Sequence, residues 1–269
     1  VEHDDRLAAA LATYLTVVDE CAPGLVEGLY VVGSAALGDW VPGRSDVDIV
    51  AVTAEPATDD DAATLRTAHA LLAERLPVPS IDGPYLAWGD LITPPMGLHR
   101  PWSLDGEFRH DGDCFELNPV TWYVLARHGL VVRGPSVERL GVYVETDARV
   151  RFCVDNLAHY WVPLADDVER ALDADPTREV HPDSFEWCAL GALRLHRTAF
   201  HGDVVSKTAA AVHGRAALPD HLHSVVEDAV AIRHGRWPST TVDADRMRAA
   251  VEVVRWCTRE VSQAARPTG

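Results

Sequence analysis

Residues 31–52 read VVGSAALGDWVPGRSDVDIVAV, and the order of their apolar, small and acidic residues decides the fold of the N-terminal half. Leu29-Tyr30-Val31-Val32 is an unbroken apolar run, the pattern of a buried strand. Gly33-Ser34 breaks it, a short turn of small residues follows, and Ser45 leads into a second strand, Asp46-Val47-Asp48-Ile49-Val50-Ala51-Val52. One residue separates the two aspartates, so on a strand both carboxylates project from one face while Val47 and Ile49 point to the other. Paired carboxylates of this kind suit magnesium, a hard cation held by one or two carboxylates together with substrate phosphates. Backbone N–H groups at Gly33-Ser34 and the Ser34 hydroxyl are suited to phosphate oxygens. Asp-x-Asp alone is more often the polar side of a half-exposed strand; its place one turn after a strand-Gly-Ser break gives it meaning.

Outward from this stretch, Leu7, Leu11, Leu15 and Val18 lie at helical spacing, as do Leu65, Ala68, Leu72 and Leu76 in residues 60–76. A third strand fits residues 81–88, where Gly83 and Pro84 predict an edge or bulged position. Residues 93–113, rich in Pro, Gly, His and Asp without a usable period, read as a long mobile loop. Asn118-Pro119 is a helix start, with asparagine as cap, and Gly129 ends that helix before the apolar run Leu130-Val131-Val132. From about residue 146 strand signals disappear. Val150, Val154, Leu157 and Trp161 mark a helix, residues 166–183 read as an acidic connector, and Asp183 with Glu186 resembles a capping box for a helix running to Phe200. Further helices fit residues 206–212, 219–233 and 243–261. The expected architecture is α+β: a mixed domain over residues 1–145 and a helical domain over 146–269.

The 269 residues are 47% hydrophobic, enough for a sizeable core. No stretch approaches the ~18 apolar residues of a membrane span, and the acidic start Val1-Glu2-His3-Asp4-Asp5 lacks a signal peptide's basic region, so a cytoplasmic protein is expected. Five scattered cysteines without a C-x-x-C pair argue against a disulfide framework or a zinc knuckle. His221-x-His223 places its rings on different helix faces, a poor zinc site. A net charge of −17 and the absence of a basic stripe exclude nucleic acid as an expected partner, whereas a cationic small molecule would be attracted. Lys207 is the one lysine among 24 basic residues. Its compact ammonium is not interchangeable with arginine's planar fork.

Three blocks carry a family resemblance: residues 31–52, residues 115–135 (FELNPVTWYVLARHGLVVRGP) and residues 190–212 (LGALRLHRTAFHGDVVSKTAAAV). Together they resemble the streptomycin/spectinomycin adenylyltransferases, within the polymerase-beta-type nucleotidyltransferases. The resemblance implies an N-terminal nucleotidyltransferase domain, a C-terminal helical bundle that binds substrate, and ATP and magnesium as co-substrate and cofactor. By the same resemblance Gly33, Ser34 and Ser45 would contact the nucleotide, Asp46 and Asp48 would bind the metal, and Lys207 would reach the phosphates. The family carries a glutamate on the next strand as third carboxylate and general base; Asp82 is the best-placed acid here, one methylene shorter, with Asp90 a poorer stand-in. Arg233 falls where the family tends to carry a tyrosine near the phosphates. Trp102, Glu107 and Phe108 in the presumed loop, and Asp183, Glu186 and Trp187 on the later helix, are the candidates for holding a cationic drug. The implied activity is transfer of AMP to a hydroxyl of an aminoglycoside or aminocyclitol antibiotic by a monomer or weak homo-oligomer. A different small-molecule acceptor, or a catalytically silent ligand-binding domain, are the alternatives.

Overall fold

The computed structural model describes residues 5–264, which divide into two compact units that meet in the sequence between Glu145 and Thr146. The first is built on a six-stranded sheet of order β5-β4-β3-β2-β1-β6. Its elements in chain order are α1 (Asp5–Cys21), β1 (Gly28–Val31), α2 (Gly33–Ala36), β2 (Val47–Thr53), α3 (Asp59–Arg75), β3 (Ile81–Ala87), β4 (Trp102–Leu104), β5 (Glu107–Arg109), α4 (Pro119–His128) and β6 (Leu130–Arg133). Only β2 and β3 run parallel, with the 17-residue helix α3 as their crossover; every other neighbouring pair is antiparallel.

One face of this sheet forms the core. Leu29, Val31, Val47, Ile49, Ala51, Ile81 and Tyr85 pack against Leu7, Leu11, Tyr14 and Val18 of α1 and Leu65, Ala68 and Leu72 of α3. Three polar side chains buried there hydrogen-bond in a row, the Tyr85 hydroxyl lying 2.7 Å from the Tyr14 hydroxyl and 2.7 Å from His69 Nε2, while His69 Nδ1 has no partner. The strand alternation that sends Val47 and Ile49 into this core turns Asp48 to the opposite face.

The structure corrects two expectations. β3 is an interior strand, buried along its whole length and paired with β2 on one side and β4 on the other. Its register with β2 holds a constant offset from Val47↔Ile81 to Thr53↔Ala87, so Gly83 is no bulge. Gly83 instead has φ +144°, and a Cβ there would stand 1.9 Å from the Ile49 carbonyl oxygen. The stretch read as a loop contains the β4–β5 hairpin, closed at Asp105-Gly106, both with positive φ as its tight turn requires. Strands of three residues are too short to leave a period in the sequence.

The second unit is helical: α5 (Thr146–Asn156), a π-helical turn (Leu157–Trp161), α6 (Val162–Ala174), α7 (Pro182–His201), α8 (Lys207–Ala217), α9 (His223–Arg233) and α10 (Ala244–Ala264). Its core gathers Phe185, Leu190, Leu193, Val226, Ile232, Met247, Val251, Val254 and Cys257 around the central helix α7. Gly191 lets α7 approach Trp161, since a Cβ would meet that ring at 2.4 Å. Residues 166–174, expected as connector, belong to α6, whose Ala165 and Leu172 are buried while its acids face outward. The cap of α7 is also not the expected one. His181 Nδ1 accepts from Asp183 N, Pro182 occupies the first turn, and Glu186 is turned inward.

Candidate active site

The glycine of Gly33-Ser34 is a steric necessity. Its φ is +56°, and an ideal Cβ would fall 1.7 Å from Asp48 Oδ2, so the Asp48 carboxylate occupies the space a side chain would need. Val32 N donates to Asp48 O at 2.9 Å, fixing strand end against strand start. Asp46 lies just before β2, exposed, and Asp48 is half-buried. Between β1 and β2 the chain turns tightly: Ser45 N donates to Val41 O and Ser45 Oγ accepts from Val41 N, holding the Ser45 hydroxyl beside Asp46. An open hollow runs from Arg44, Ser45 and Asp46 to Ser80 and Asp105.

Asp82 is the register partner of Asp48 on the neighbouring parallel strand, so the two carboxylates stand side by side on the face opposite α1 and α3. Asp82 is 1% exposed. Ser80 Oγ donates to its Oδ2 at 2.8 Å, and the hairpin tip donates Gly106 N to its Oδ1 at 3.3 Å. Burial nevertheless outweighs these bonds and pushes its pKa up to about 6, with the Asp46 charge adding to the shift. Asp90 is not a substitute: both of its oxygens take Arg100 at 2.7 Å and one also accepts Ala87 N, a structural clamp at the end of β3.

Glu116 is the acid that the sequence reading missed. It precedes the α4 cap, where Asn118 Oδ1 accepts from Val120 N and Thr121 N, Asn118 Nδ2 donates to Phe115 O, and Asn118 N donates to Glu116 O. This knot fixes the Glu116 backbone, and its Oε2 is buried with no hydrogen-bond partner. Burial, and then the charges of Asp48, Asp82 and Asp46 in that order, raise its pKa well above the carboxylate range. Four carboxylates therefore share one electrostatic environment. Among the described residues, no group of three or more His, Cys, Asp or Glu is already set in a metal-holding arrangement. The donor chemistry nonetheless fits magnesium: the set is all hard oxygen, the like charges repel, and a divalent cation with phosphate oxygens would relieve them.

The family described as "Nucleotidyltransferase domain" matches residues 12–82, the span from α1 through Asp82. The chain carries a nucleotidyltransferase domain. That domain contains Gly33, Ser34, Ser45, Asp46, Asp48 and Asp82, while Glu116 lies beyond the matched residues. No curated protein is significantly similar to the chain in sequence. Among solved structures, the fold is similar to that of spectinomycin adenyltransferase from Enterococcus faecialis, crystallised with ATP and spectinomycin: TM-score 0.67 at 12% identity, covering 95% of this chain and 99% of that one. The likeness extends over both units and establishes the fold.

The remaining sequence candidates fall into three groups. Trp102 is 4% exposed in β4, edge-on to Phe115 with Arg109 over its ring, and Phe108 packs on His69 and Tyr85 in the first unit's core. Both therefore make packing contacts within the first unit, while Glu107 is exposed and paired with Arg109. In the second unit, Glu186 is 5% exposed and its Oε1 accepts from Lys207 Nζ at 3.0 Å and Arg233 Nη1 at 3.1 Å. Arg233 is buried, not a charge at the end of an exposed helix. Trp187 is 40% exposed, stacked on Trp161 at 5.1 Å, with Lys207 Nζ 5.6 Å from its ring; Asp183 is exposed at the start of α7 beside His181. No described helix is long and apolar enough to cross a membrane. His221 lies beside Glu252 and His223 beside the Leu218 carbonyl.

Proposed function

We propose that the chain transfers AMP from ATP to a hydroxyl group of a cationic aminocyclitol or aminoglycoside. The observation that carries this reading is the grouping of Asp46, Asp48, Asp82 and Glu116 beside the Gly33-Ser34 turn of a nucleotidyltransferase domain. The acceptor class is supported by the fold shared with a spectinomycin adenyltransferase and by a net charge of −17, which favours cationic ligands.

In the proposed reaction the acceptor oxygen forms a bond to the α-phosphorus, the bond from that phosphorus to the bridging oxygen breaks, and pyrophosphate leaves. Asp46 and Asp48 would hold magnesium, which when bound neutralises charge on the transferring group and the leaving pyrophosphate. Ser34 and Ser45 orient the phosphates through hydroxyl and backbone N–H donors, and Lys207 supplies a compact cation to them. Asp82 takes the hydroxyl proton. Each of its oxygens already accepts one bond and keeps a lone pair for another.

The test is magnesium-dependent pyrophosphate release from ATP over a panel of streptomycin, spectinomycin and unrelated hydroxyl acceptors. Release with an aminocyclitol or aminoglycoside, reduced more than tenfold by Asp46→Asn or Asp48→Asn, is the expected result; tenfold corresponds to about 1.4 kcal/mol of transition-state stabilisation. Release only with acceptors of another class would overturn the substrate assignment. Turnover above a tenth of wild type in either variant would overturn the metal clamp.

A further inference from the structure

We infer that Glu186 and Arg233 are positioning residues that fix the ammonium of Lys207, with neither one contacting the acceptor. This rests on the proposed role of Lys207 at the phosphates; the geometry of the three side chains does not.

Lys207 opens α8, with Ser206 as its N-cap accepting from Ala209 N. A lysine side chain has four rotatable bonds, and left in solvent it samples many rotamers. Here it is held. The Glu186 carboxylate, from the inner side of α7, accepts from Lys207 Nζ at 3.0 Å, and the Trp187 ring lies 5.6 Å from the same nitrogen. Glu186 is fixed in turn, because its Oε1 also accepts from Arg233 Nη1 at 3.1 Å. The side chains of Arg233 and Glu186 are 5% and 6% exposed, whereas that of Lys207 is 23% exposed. The arrangement is graded: a buried guanidinium, a buried carboxylate bridging two cations, and an ammonium reaching toward solvent. A carboxylate already engaged by two cations inside the protein is poorly placed to anchor a cationic drug, which removes Glu186 from the acceptor contacts expected from the sequence. A guanidinium buried behind it is a support, which removes Arg233 from the expected phosphate contacts.

Catalysis by charge placement depends on where the cation sits. Glu186→Gln keeps the shape and removes the charge, so it is expected to lower kcat at least tenfold while leaving the acceptor KM within about threefold of wild type. A general loss of folded protein would produce a similar fall, so a double-mutant cycle separates the two. If Glu186 acts through Lys207, then Glu186→Gln added to Lys207→Met costs less than about twofold beyond Lys207→Met alone. Independent, multiplicative losses would overturn the inference, as would a raised acceptor KM with kcat intact.

The second readout needs no activity. Lys207 is the only lysine in the sequence, so an amine-selective reagent such as acetic anhydride, followed by peptide mass analysis, reports on this one side chain. Labelling of Lys207 is expected to be several-fold faster in Glu186→Gln and in Arg233→Met than in wild type. Unchanged labelling in both would overturn the clamp. Faster labelling in a protein that transfers nucleotide to no acceptor would leave the clamp standing and overturn the proposed function instead.

Discussion

Gly33 shows how far a single residue constrains this site. Two independent demands meet there: a left-handed backbone, φ +56°, and the absence of a Cβ, since Asp48 Oδ2 fills its place. Gly33→Ala is expected to cost about 1–3 kcal/mol in backbone strain and to displace the Asp48 carboxylate, giving both a lower Tm and a loss of nucleotidyl transfer. A variant with wild-type melting and wild-type pyrophosphate release would show that Asp48 does not rest against Gly33. The glycine, Ser34 and the Asp-x-Asp pair were legible in the sequence because strand, break and strand left a local pattern. Glu116 was not, although it lies inside one of the blocks that carried the family resemblance. A single glutamate ahead of a helix cap has no spacing to set it apart, and its meaning comes from the Asp48 and Asp82 charges brought near it by the sheet. Glu186 was seen but misjudged: three residues after Asp183 it matched a cap, and only its burial and its two cationic partners show otherwise.

Among elements, the pairing of β2 with β3 matters most, because it sets Asp48 beside Asp82. Gly83 sits in the middle of that pairing with φ +144° and only 1.9 Å between a would-be Cβ and the Ile49 carbonyl oxygen. Backbone cannot yield as a flexible side chain can. Gly83→Ala is therefore expected to cost about 3 kcal/mol or more, seen as a large fall in the urea midpoint or as insoluble protein; a change under about 1 kcal/mol would refute the close approach. Long helices with clear stripes, such as α3 and α10, were readable from their period alone. The β4–β5 hairpin and the inner position of β3 were not, since three-residue strands carry no period and glycine with proline mimics an edge. α6 was hidden by its acids, which dominate the composition while only Ala165 and Leu172 are fully buried.

Across the whole molecule, two buried histidines tie stability to pH. Burial pushes both His69 in the first unit and His196 in the second from 6.5 down to about 4. A folded-state pKa below the unfolded value means that the unfolded chain takes up the proton first, so this stability is complete above about pH 6.5 and lost as pH falls toward 4. In the first unit Asp82 and Glu116 run the other way, since raised carboxyl pKa values are relieved by acid. The second unit gives the cleaner reading. His196 there faces His213, His201, Phe200 and Trp256, and neither neighbouring histidine welcomes a second positive charge. Urea unfolding of wild type and His196→Phe should show the wild type losing up to about 3 kcal/mol more between pH 7.5 and 4; parallel pH profiles would exclude His196 as the sensitive group.

Lys207 has a last consequence, of a proteolytic kind. A protease that cuts only after lysine finds one peptide bond in the 269 residues, Lys207–Thr208, at the first residue of α8. In the folded chain that bond lies in a capped helical turn, with the lysine side chain drawn onto Glu186, so cleavage must wait for this end of α8 to open. The rate of a single cut, into fragments of residues 1–207 and 208–269, thus becomes a clock for local opening at the first turn of α8.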